Sequence, residues 1–115
     1  MMNIVLACQY GASTDLLAVK MQEAAKRLQL DAVINAYSFT RLEQVVDAAD
    51  LVLLGPQIRF KKKALQEQFK DRNVEIMVVN TVAYGMLNGE KVLLDAIAEI
   101  QKMRIEILTE EWKYE

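Results

Sequence analysis

Asn3-Ile4-Val5-Leu6-Ala7-Cys8, followed by Gln9-Tyr10-Gly11-Ala12-Ser13-Thr14-Asp15-Leu16-Leu17, is the stretch on which the fold turns. Its first half is an unbroken apolar run, as expected of a strand covered on both faces. Gly11 then interrupts the pattern. Ser13 or Thr14 can cap a helix, and Asp15 suits the first helical turn. Leu16, Leu17, Met21, Ala24, Ala25 and Leu28 recur at helical spacing, so the helix is expected to run to about Leu28.

The same alternation continues outward. Asp31 to Ala36 reads as a second strand, and Thr40 as the cap of a short helix reaching about Ala48. Asp50-Leu51-Val52-Leu53-Leu54 is a third buried strand, stopped by Gly55-Pro56. A helix is expected from about Phe60 to Lys70, a fourth strand from Val74 to Val79, and an irregular loop from Asn80 to Gly89. A last helix carries Val92, Leu93, Ile97 and Ile100 on one face to about Met103. The tail, 104–115, with Ile105, Ile107, Leu108 and Trp112, leaves three options: more helix, an extra strand, or a cover over the core. Strands alternating with helices give an α/β fold: one three-layer domain over 1–115, with a parallel four-stranded sheet and helices on both faces. The simplest order is 2-1-3-4. Ligands of such sheets bind beyond the carboxyl ends of the strands, where Cys8, Gly55 and Asn80 fall.

Composition narrows the chemistry. A chain of 115 residues with 53% hydrophobic and 26% charged residues suits one globular domain. The net charge of -2 gives no general basic surface for nucleic acid. One cysteine forbids an internal disulfide, and the lack of histidine excludes Ser-His-Asp and Cys-His catalysis and histidine metal ligation. No metal and no cofactor are expected. The N-terminus lacks the pattern of a signal peptide, and no apolar run approaches the ~20 residues of a membrane span. A cytoplasmic protein without membrane insertion is the expectation.

The loop Gln9, Tyr10, Gly11, Ala12, Ser13, Thr14 and Asp15 joins a central strand to a helix N-terminus. Successive N–H groups in such a turn form an anion-binding nest, and the helix end adds partial positive charge. That setting favours the thiolate of Cys8 and suits a phosphoryl group bonded to its sulfur. The hydroxyls of Ser13 and Thr14 can contribute donors. The plainer alternative is that Cys8 is a small core residue ending a strand.

These segments resemble the enzyme IIB proteins of the bacterial sugar phosphotransferase system, in the lactose, cellobiose and diacetylchitobiose class. The resemblance rests on Cys8, Gly11, Ser13-Thr14 and Leu16-Leu17. It continues through Ala49 to Phe60, Tyr84-Gly85-Met86, and Asn88-Gly89-Glu90-Lys91-Val92-Leu93. It implies that a phosphohistidine of enzyme IIA phosphorylates Cys8, and that the phosphocysteine then phosphorylates a sugar bound to the membrane permease, enzyme IIC. The class suggests a disaccharide, and a monomer is expected. Three departures stand out. Gln9 and Tyr10 are larger than the family's usual small residues, Ala12 occupies a position that is often Met, and Asp15 replaces a serine. A unit charge 4 Å from a phosphoryl group costs ~4 kcal/mol at an effective dielectric of 20.

Other candidates lie at the same end. Arg59 could approach the phosphate, whereas Lys61, Lys62 and Lys63 read as a solvated helix face. Pro56, Gln57, Arg59 and Tyr84 are candidate docking residues, and for Tyr84 a half-buried packing role is equally open. A relative of enzyme IIB without transfer activity is the alternative function. A low-molecular-weight phosphatase is a weaker one, because Thr14 stands where that chemistry needs an arginine.

Overall fold

The computed structural model describes residues 1–10 and 12–113, with backbone only at 12, 13 and 111–113. Strand β1 (Met2–Cys8) is followed by helix α1 (Ala12–Arg27), β2 (Ala32–Ser38), α2 (Leu42–Val45), β3 (Leu51–Leu54), α3 (Lys62–Gln68), β4 (Glu75–Val78), α4 (Thr81–Gly85) and α5 (Gly89–Lys113). Three 3-10 turns intervene, at Phe39–Arg41, Val46–Ala48 and Pro56–Lys61. The four strands are parallel in the order β2-β1-β3-β4, so β1 is central, as the sequence leads one to expect.

Alternation along the strands builds two cores. Ile4 and Leu6 of β1, Ile34 of β2 and Leu51 and Leu53 of β3 meet Leu17, Met21, Ala24 and Ala25 of α1 and Val92, Leu93, Ala96 and Ile97 of α5. Val5, Ala7, Val52, Leu54 and Ile76 face the other way, against Leu42, Val46, Ile58, Leu65 and Phe69. Both faces are therefore covered, which is why the strands read as continuous apolar runs. Cys8 continues the line of Ile4 and Leu6, on the face that α1 covers.

Several boundaries differ from expectation. Helix α1 starts at Ala12, so Thr14 lies inside its first turn instead of capping it. The short segment after β2 is capped by Ser38, not Thr40, because the extended backbone at Ser38 lets its side chain accept from the Thr40 N–H. The helix expected from Phe60 is split: a 3-10 turn kinked at Ile58 precedes α3. Residues 80–89 contain α4, nucleated by Asn80, whose Oδ1 accepts from the Ala83 N–H at 2.9 Å. The tail takes the first of its three options, since α5 continues to Lys113. The side chain of Trp112 lies outside the described residues. On the α2–α3 side, Arg72 donates to Asp47 at 2.6 Å and to Glu43 at 2.7 Å. These carboxylates, Asp47 first, raise the guanidinium above its ordinary pKa.

Gly89 sets the contact between α5 and α1. A Cβ at this position would lie 2.4 Å from the Lys20 carbonyl carbon and 2.6 Å from the Met21 nitrogen. Backbone cannot give way as a side-chain tip can. Gly89→Ala is therefore expected to destabilise the fold by about 1–3 kcal/mol, as overpacking does. Thermal unfolding checks this, and an unchanged melting temperature would show that α5 does not need this approach.

Candidate functional site

Cys8 ends β1 and is buried, with 1% of its surface exposed. Thr14 is completely buried, and its Oγ1 donates to Cys8 Sγ at 3.6 Å. The bond joins the last strand residue to the first turn of a 16-residue helix. A buried hydroxyl needs a partner, and a hydrogen bond to a charged acceptor is worth about 1.5–3 kcal/mol. The sulfur also sits beside the positive end of α1. Both influences favour the thiolate, while burial of the sulfur favours the neutral thiol. Across the sheet, the Gly55 N–H donates to the Ala7 carbonyl at 2.8 Å. A Cβ on Gly55 would stand 3.7 Å from the Cys8 Cβ. The carboxyl ends of β1 and β3 thus meet at the cysteine, with no side chain from residue 55 between them.

Other loop residues take different places. Gln9 and Tyr10 are exposed, Tyr10 to 86%. Asp15 is exposed in the first turn of α1. Gly11 and the side chains of Ala12 and Ser13 lie outside the described residues. Arg59 donates to the Pro56 carbonyl at 3.0 Å, closing its own turn. Pro56 is buried and Gln57 exposed. Asn80, expected at the same end, commits its side chain to capping α4. Tyr84 is half-buried and packs against the α1–α5 core. Among the described residues no His/Cys/Asp/Glu group could hold a metal, and no helix is long and apolar enough to cross a membrane.

Two features escaped sequence reasoning. Ser38 pairs in register with Cys8, and its Oγ donates to the Gln9 carbonyl at 2.9 Å. Strand register is the signal that would have found it. Phe60, Val82 and Met86, exposed to 72%, 68% and 73%, lie on segments that follow β3 and β4, toward the end where Tyr10 follows β1. In the sequence Phe60 reads as the start of a helix, and Val82 and Met86 as part of an irregular loop.

Thr14→Val keeps the shape and removes the hydroxyl. It is expected to slow alkylation of Cys8 by iodoacetamide at neutral pH about tenfold, the equivalent of losing about 1.4 kcal/mol of thiolate stabilisation. Thr14→Ser should restore the rate. Mass spectrometry of timed samples reads both, and a valine variant that reacts as fast as wild type would remove the hydroxyl from this role.

Comparison with known proteins places the chain in a family. The family described as "PTS system, Lactose/Cellobiose specific IIB subunit" matches residues 3–95. The chain is 38% identical over 98 residues to the oligo-beta-mannoside-specific EIIB component of Bacillus subtilis, covering 85% of this chain and 95% of that protein. It is 37% identical over 98 residues to the cellobiose-specific EIIB component of Lactococcus lactis, covering 81% and 91%. Among solved structures, the cellobiose-specific IIB component of Borrelia burgdorferi superposes with a TM-score of 0.73 at 46% identity, covering 88% and 93%. The lactose-specific IIB domain of Streptococcus pneumoniae shares the fold at 0.77 and 17% identity, covering 84% and 95%. The chain belongs to the lactose/cellobiose-specific IIB subunit family of the sugar phosphotransferase system, and is a phosphotransferase component of that class.

Proposed function

We propose that Cys8 is the phosphoryl-carrying residue, loaded by a phosphohistidine of enzyme IIA and unloaded onto a disaccharide bound to the membrane permease, enzyme IIC. The observation that carries this reading is the lone cysteine at the end of the central strand, bonded to Thr14 in the first turn of α1. In the loading step the Cys8 thiolate attacks phosphorus. The S–P bond forms, the N–P bond breaks, and its electron pair returns to the imidazole. In the unloading step a sugar hydroxyl oxygen attacks, the S–P bond breaks, and the hydroxyl proton leaves to solvent or a base. The protein needs to fix geometry and stabilise spread negative charge, a task suited to the backbone N–H groups of Gln9 and Tyr10 and of the α1 N-terminus.

In this reading residues 1–115 act as one enzyme IIB unit, as a cytoplasmic monomer. Disaccharide is supported by the cellobiose specificity named for one relative. Tyr10, Phe60, Val82 and Met86 supply exposed apolar surface for docking. Gln57, Arg59 and Tyr84 border it in sequence, and buried Pro56 shapes the turn.

Cys8→Ser is expected to abolish labelling by phosphorylated enzyme IIA of this class, with thermal unfolding unchanged. Label retained on the serine variant would refute the assignment. Wild type that stays unlabelled beside an IIA that loads another IIB would support a binding module instead. Cys8-dependent turnover of an aryl phosphate would support a phosphatase.

Asp15 is an exposed acidic residue in the first turn of α1, next to Thr14, which donates to the Cys8 sulfur. Asp15→Ser is expected to lengthen the lifetime of phosphocysteine, followed as loss of label with time. An unchanged or shorter lifetime would exclude Asp15 from the unloading step.

A further inference from the structure

We propose that Ser38 is a positioning residue of the Cys8 loop: its hydroxyl holds the Gln9 carbonyl toward β2 and thereby turns the Tyr10 N–H to the opposite side, over Gly55. The role in transfer rests on the carrier function proposed above; the geometry does not.

Strand β1 lies between β2 and β3. Cys8 pairs with Ser38, the last residue of β2, and Gln9 is the first residue beyond the ladder. At that point the sheet no longer dictates where the next peptide faces. The Ser38 hydroxyl does so instead, donating to the Gln9 oxygen at 2.9 Å. A trans peptide is planar, so its C=O and N–H point in opposite directions. The described residues contain no cis peptide. Holding the Gln9 carbonyl on the β2 side therefore aims the Tyr10 N–H toward β3.

At this level β3 gives way to Gly55, tied to β1 through the Ala7 carbonyl at 2.8 Å. A Cβ here would stand 3.7 Å from the Cys8 Cβ and 2.9 Å from Gln57 Oε1, so the glycine keeps its own side chain out of the space that the exposed Gln57 side chain shares with the flank of Cys8. An N–H directed there is placed for the oxygens of a group bonded to sulfur. Ser38 is itself held: its oxygen accepts from the Thr40 N–H at 3.4 Å and lies 3.0 Å from Thr40 Oγ1.

The test uses the full chain as wild type, Ser38→Ala, Ser38→Thr and Thr40→Val. With histidine-phosphorylated enzyme IIA of this class as donor, Ser38→Ala is expected to lower the maximal transfer rate about tenfold or more, while the KM for IIA stays unchanged. Ser38→Thr, which keeps the hydroxyl, should transfer near the wild-type rate. So should Thr40→Val, which removes only the neighbour's hydroxyl. The second readout needs no donor: the Tyr10 amide nitrogen resonance, sensitive to the bond on the preceding carbonyl, should move in Ser38→Ala and return in Ser38→Thr. A resonance unmoved in Ser38→Ala overturns the positioning role. So does a folded Ser38→Ala that transfers like wild type, or an equal loss in Thr40→Val, which would mark a general effect of the turn. If wild type accepts no phosphoryl group at all, the carrier function fails, and the resonance still decides whether Ser38 sets the Tyr10 peptide.

Discussion

The bond from Thr14 to the Cys8 sulfur ties together the two elements that the site needs in fixed relation: the end of the central strand and the start of the first helix. Both residues are buried, so the interaction works where water does not compete and where an unpartnered hydroxyl would be expensive. It also sets the geometry. A helix N-terminus offers its N–H groups to whatever stands before it, and the bond from its first turn brings the sulfur close to that position. Much of the rest of the fold keeps this relation constant. Helix α1 is clamped by α5 at Gly89, where two backbones come closer than any side chain would permit. The strand is fixed on its flanks by β2 and β3. The precision at residue 8 thus comes from packing far from the reactive atom.

The parts of this design that depend on burial periodicity were legible in the sequence. Continuous apolar strands and striped helices lead directly to the parallel sheet and its order, because few connections satisfy both. The cysteine before a glycine and a helix start pointed to the end of the sheet where Cys8 and Thr14 meet. What escaped notice lay in side-chain hydrogen bonds between residues distant in sequence. Ser38 and Cys8 are 30 positions apart, and only the register of β1 on β2 makes them neighbours. The boundary errors have the same origin. Thr14 has the composition of a cap but is drawn into the first turn, its hydroxyl bonded to sulfur. Thr40 yields the cap position to Ser38 because Ser38 has the extended backbone that a cap requires. In 80–89, Asn80 starts a helix within a segment whose composition reads as loop.

In the function proposed here, chemistry and recognition are separated in depth. The sulfur is covered, whereas Tyr10, Phe60, Val82 and Met86 project into solvent from segments that follow the strands of the same sheet. A carrier that must react with two different partners gains from this arrangement. A covered sulfur meets few oxidants or stray electrophiles, since such reactions follow exposure as well as thiolate character. Exposed aromatic and methionine side chains suit alternate contacts, because they bring large apolar area with few fixed polar demands. The loop from Gln9 onward lies between the two. Its first carbonyl is anchored to β2 through Ser38, and its far end is anchored to sulfur through Thr14. The described residues on either side of residue 11 are thus each tied by a hydroxyl, Gln9 to β2 and Thr14 to the sulfur, so the reactive end proposed for this chain is fixed from the strand side and from the helix side.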